Sequence, residues 1–251
     1  MSRNLIDEVE QKIFNKISRK KYILIGECHG AKENVKIANT LVTFFVKNPF
    51  LKIAFAFEWH VSRNDESILK KYVSNESVND KKYRGVLKHL AENKSGVFSD
   101  QHADFLSKLR ETNQTFSKKH KIGLFCFDLS GKSWNDRDKR MAGKIESQEK
   151  KFDMIFIFTG NIHARKKKIL PENDKNYLAP LGSLLPRKKT FSVKIEYLEG
   201  SIFNYGVKKL FKVSGGRKIS VDTAYDNFII IHKATPITLT RCFEPQSDCL
   251  I

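Results

Sequence analysis

Apolar residues recur along this chain in two rhythms that take turns. Leu5, Ile6, Val9, Ile13, Phe14 and Ile17 fall at the i, i+3, i+4 spacing of a helix laid on a core. An unbroken apolar run over 22–25 follows and ends at Gly26, the mark of a buried strand. Residues 35–46 return to helical spacing, 51–57 form a second strand-like run, and 65–73 and 100–109 predict two more helices. A third strand is predicted over 121–127, a helix over 136–149 and a fourth strand over 153–159. Strands apolar throughout, each followed by a helix or loop, predict an α/β fold with a mainly parallel central sheet flanked by helices.

Beyond Pro171 the rhythm changes. Residues 190–197 and 201–213 alternate apolar and polar, with Glu199-Gly200 between them as a turn, which predicts a C-terminal antiparallel hairpin. A final strand is expected over 227–232. Segments 74–99 and 164–188 lack periodicity and are rich in Lys, Asn and Ser, so they read as surface loops or cleft walls. At 251 residues the chain is near the size at which one core stops growing, and a single domain over 1–251 is expected.

Charge and cysteines narrow the class. No apolar run is long enough for export or membrane insertion, and the four cysteines Cys28, Cys126, Cys242 and Cys249 lack both zinc-site spacing and the density of a disulfide scaffold. A cytoplasmic protein with free thiols is expected; secretion as an effector by another route stays open. Lys+Arg 46 against Asp+Glu 28 gives +18, which attracts phosphates, anionic membranes or anionic small-molecule and peptide substrates. The bases are dispersed, with no basic helix interleaved with aromatics and no recognisable nucleic-acid motif. Nucleic acid is therefore not the expected main partner.

In an open α/β sheet, ligands bind beyond the carboxyl ends of the strands. There stand Glu27 and His29 after the first run, Glu58 and His60 at the second, Asp128 after the third, and Asn161 and His163 after the fourth. An unpartnered Glu58 at the end of an apolar run is costly, so it needs His29 or Arg137 beside it. Gly26 and Gly30 suggest close backbone approach. His60 reads as structural. Spacing puts Arg137, Met141 and Ile145 on one helix face, and Asp128 either caps that region or orients a histidine. The candidate set is Glu27, His29, Glu58, Arg137 and His163, supported by Asp128 and Asn161.

These residues carry a resemblance. Gly26-Glu27-Cys28-His29-Gly30, Phe57-Glu58, Phe127-Asp128, Arg137-Asp138 with Met141-Ala142, and Gly160-Asn161-Ile162-His163-Ala164 are similar, in order and spacing, to motifs of one superfamily. It joins the erythromycin esterases, the ChaN-like haem-binding proteins and the Tiki-type metalloproteases, and the first motif looks closer to the ChaN-like branch. The resemblance implies an α/β fold with a cleft built on these Glu, His and Arg residues.

The leading expectation is hydrolysis of an ester or amide. His29, held by Glu58, deprotonates water; Arg137 stabilises the oxyanion; His163 serves as acid. A metal version uses His29, His163, Glu27 and Glu58 as ligands, a set compatible with zinc or manganese. The alternative implied by the ChaN-like resemblance is a non-catalytic haem or iron protein, with Tyr177, Tyr205 and His60 as candidate ligands.

Overall fold

The computed structural model describes residues 16–46, 51–117, 121–169, 179–210 and 222–239. Among the described residues, seven strands form one sheet: β1 Tyr22–Glu27, β2 Ile53–Phe57, β3 Gly123–Cys126, β4 Met154–Gly160, β5 Thr190–Phe203, β6 Val207–Leu210 and β7 Asn227–Ala234. Their order is β3-β2-β4-β1-β5-β6, with β7 also paired to β5, and only the β5 to β6 pairing is antiparallel. The α/β fold with its mainly parallel sheet is thus present. Most of the predicted first helix, over 1–15, lies outside the described residues.

Both faces of the sheet are covered, which explains why the parallel strands are apolar throughout. Along β1, Ile23 and Ile25 join Val35, Leu41 and Phe105 on one face, while Tyr22 and Leu24 join Met141, Ile145 and Leu181 on the other. The first face is covered by α1 Lys32–Val46 and α4 Asp100–Thr115, with α2 Arg63–Val73 and α3 Asp80–Glu92 beside them. The second is covered by α5 Trp134–Glu146 and the one-turn α6 Leu181–Leu184.

Two expectations are corrected. The segment 74–99 is not all loop: Asn79 caps α3 by accepting from Lys82 N at 3.0 Å, and Tyr83, Val86, Leu90 and Ala91 are buried. Glu199-Gly200 is not a turn either. β5 runs straight through it, and the hairpin turns at Asn204–Gly206, where Tyr205 and Gly206 take positive φ. Gly200 has φ 116°, and a Cβ there would meet Ala234 O at 2.2 Å, so this glycine serves close contact with β7.

Candidate functional site

The strand ends bring Glu27, His29, Glu58, Asp128, Arg137 and His163 into one connected cluster. Side-chain alternation divides it. Glu27 continues the Ile23 and Ile25 face, whereas Glu58 continues the opposite face with Ala54 and Ala56, so the cluster straddles the end of the sheet.

Glu58 is its centre. Oε1 accepts from Arg137 Nη2 at 2.7 Å, and Oε2 accepts from Thr159 Oγ1 at 2.5 Å and Gly160 N at 2.9 Å. Burial pushes this carboxyl up, but His163, His29 and Arg137 together with the Thr159 hydroxyl outweigh it and hold it down to about 2. Arg137 reaches Glu58 from α5, whose N-cap Ser133 accepts from Asp136 N at 3.2 Å. Its Nε donates to Asp128 Oδ1 at 2.8 Å, so Asp128 orients the guanidinium rather than a histidine. Gly131 lies close against this turn: a Cβ there would meet Arg137 N at 2.4 Å.

Each histidine has its own carboxylate. His29 Nδ1 is 2.9 Å from Glu27 Oε1, and its Nε2 stands 3.9 Å from Glu58 Oε2. Glu27, not the expected Glu58, therefore holds the ring. His163 Nδ1 is 2.6 Å from Asp138 Oδ1, and Asp138 Oδ2 accepts from Leu181 N at 3.0 Å. Burial works against charging either ring. For His29, the Glu27 hydrogen bond and the Glu58 charge reverse this; for His163, Glu58 and Asp138 do, and both end above the ordinary imidazole value.

The Nε2 of His163 faces two partners. Arg137 Nη1 lies at 3.1 Å and suits a neutral ring whose Nδ1–H is given to Asp138. Glu58 Oε1 lies at 3.4 Å and suits the protonated ring. The side chains of His29 and Arg137 keep 22% exposure, while that of Asp138 has none. Trp134, 55% exposed, sets its ring 5.9 Å from that of His163 and 5.7 Å from the Arg137 guanidinium carbon, forming the wall on that side.

The glycines carry a geometric requirement. At Gly160 a Cβ would stand 3.1 Å from His29 Nε2 and 3.5 Å from His163 Cδ2, so this position separates the two imidazoles. Gly160→Ala is expected to lower turnover of any substrate handled there at least tenfold while moving the melting temperature little; unchanged turnover would show that the rings do not act together. Gly26 and Gly30 serve the fold, packing against Ala164 with Asn161 and against Phe203 respectively. Asn161 lines that contact, its backbone N donating to Glu27 O at 2.9 Å.

Other candidates fall away from the cluster. Cys28 packs with Ala31, Ile202 and Ala234 in a separate apolar group. His60 is exposed and Tyr205 sits at the hairpin turn, while Tyr177 lies outside the described residues. The metal set does not fit. Both Glu58 oxygens are taken by donors, the Arg137 guanidinium contacts Glu58 and His163 alike, and among the described residues no three His, Cys, Asp or Glu side chains converge on a metal position.

The pKa shifts fix a pH signature. Raised histidines contribute stability that is full below their unfolded value of about 6.5 and lost as pH rises through the folded values. The lowered Glu58 contributes stability present above its ordinary range and lost as pH falls toward about 2. The urea midpoint is thus expected to fall from mildly acidic to alkaline pH, and less so in His163→Gln. Equal slopes in the two proteins would contradict the assigned field.

No protein-family model matches the chain, and no curated protein does. Solved structures do. The chain is similar to a Bacillus cereus protein with a TM-score of 0.64 at 13% identity, over 95% of this chain and 94% of that one. It is also similar to a succinoglycan biosynthesis protein, with a TM-score of 0.58 at 15% identity over 84% and 76% of the two chains. The fold is shared with both. An erythromycin esterase variant in its open conformation matches at a TM-score of 0.46 and 11% identity, over 83% and 81% of the chains.

Proposed function

We propose that the cluster is a metal-independent hydrolytic site for an ester or amide. The observation that carries this reading is the pair of carboxylate-held imidazoles, Glu27 with His29 and Asp138 with His163, on either side of Gly160 and beside Arg137. His29 has Nδ1 fixed by Glu27 and Nε2 3.9 Å from Glu58 Oε2, and its side chain keeps part of its exposure, which suits removal of a proton from water. The resulting hydroxide attacks the carbonyl carbon, and Arg137, which Asp128 and Glu58 keep cationic against burial, faces the negative oxygen. His163 enters protonated, its Nε2–H shared between Glu58 and the leaving group, which leaves Arg137 N–H groups for the oxyanion. It gives that proton to the leaving group as the bond to the carbonyl carbon breaks, and the proton that His29 took from water recharges it by way of solvent.

The test is turnover of ester and amide libraries by the parent, His29→Gln and His163→Gln, with and without chelator. Loss of at least a hundredfold in each variant, with folding intact and no effect of chelator, is the expected result. Full activity in His29→Gln would remove this mechanism, and loss on chelation would remove its metal-free form.

A further inference from the structure

The excess of bases has a place in the fold. Because β1, β2, β4 and β5 are parallel and adjacent, the residues leading into them share the pole opposite the cleft. Arg19-Lys20-Lys21 leads into β1 and Arg187-Lys188-Lys189 into β5, and the two segments are joined by Lys21 N to Lys189 O at 2.9 Å and Lys20 Nζ to Lys188 O at 2.9 Å. Lys150-Lys151 leads into β4, beside Lys52 at the start of β2, whose backbone N donates to Asp153 at 2.8 Å. Among the described residues of these segments, nine cations thus meet three carboxylates, Glu146, Glu149 and Asp153. Two of the three are already engaged: Glu149 by Tyr22 and Lys189, Asp153 by the Lys52 backbone.

We infer that this basic pole seats the protein on an anionic lipid surface, with the cleft facing away from it. Seven of the nine bases are lysines, compact hydrated charges suited to diffuse attraction by headgroups rather than to forked recognition of single phosphates. Among the described residues, the exposed aromatics of the kind that nucleic-acid surfaces use for stacking are elsewhere: Trp134 is beside His163 and Tyr205 is at the β5–β6 turn. Attraction of this kind acts over about a Debye length and is reversed by salt. The inference does not depend on the chemistry proposed for the cleft.

The experiment is co-sedimentation of the full chain with vesicles of phosphatidylcholine alone or containing about a third phosphatidylserine. Binding is expected only to the anionic vesicles and to be lost by about 0.5 M salt. The variant Arg19→Gln, Lys150→Gln, Arg187→Gln, Lys188→Gln is expected to bind at least tenfold less. A control of equal charge loss on α2 and α3, namely Lys71→Gln, Lys81→Gln, Lys82→Gln, Lys88→Gln, is expected to change binding less than twofold. Equal loss in the two variants, no binding by the parent, or tighter capture by duplex nucleic acid than by anionic vesicles would each overturn the inference.

Discussion

Glu58→Gln is expected to destabilise the fold by about 3 kcal/mol, lowering the melting temperature by roughly 6 to 12 °C, and to abolish activity in the cleft. The carboxylate meets donors on both sides: Arg137 on one oxygen, Thr159 and Gly160 on the other. An amide of the same shape must turn its NH2 toward one of these groups, setting donor against donor in a buried place. It also removes the charge that faces Arg137, leaving the guanidinium paired with Asp128. A thermal melt and a turnover assay on one preparation check this. A variant as stable as the parent would mean that the Glu58 to Arg137 pair contributes nothing net to folding.

The second large effect is expected at Asp138. One of its oxygens faces His163 Nδ1 and the other accepts from Leu181 N, and the residue is fully buried. Asp138→Asn keeps the shape but satisfies only one side. If the amide oxygen stays with Leu181, its NH2 faces Nδ1 and drives the proton to Nε2, where Arg137 Nη1 also donates. Turnover is expected to drop about 10²- to 10⁴-fold, as when a carboxylate-held tautomer is lost, while stability falls by about 1–3 kcal/mol. Asp138 acts through His163, so the distinguishing readout is the pH profile: the limb belonging to His163 is expected to move to lower pH. A parallel loss at all pH values would assign Asp138 to structure alone.

Much of the fold was legible because parallel strands covered on both faces are apolar at every position, as in β4 with its MIFIF run. The helix α3 escaped because its core contacts, Tyr83, Val86 and Leu90, are separated by Lys, Arg and His that keep the segment polar on average. In the sequence Gly200 reads as a hairpin turn, whereas its positive φ and contact with Ala234 keep β5 running on. At the cluster, strand-end geometry marked Glu27, His29, Glu58 and His163 correctly as neighbours, but not who holds whom. A spacing of two puts Glu27 and His29 on one side of an extended chain, a signal that was present and outweighed by the need to find Glu58 a partner. Asp138 was missed for another reason. A carboxylate near a helix start is explained by the helix dipole, so nothing in the string demanded a histidine.

The division of the cluster between the two faces of the sheet has a consequence for how the protein responds to change. Glu27 continues the layer under α1 and α4, and Asp138 is carried by α5 on the other side. A substitution that loosens packing under α1 will disturb the water-facing imidazole first, and one under α5 the buried imidazole first. Two families of core variants, one per layer, will therefore split the pH profile into its separate limbs without touching a polar residue.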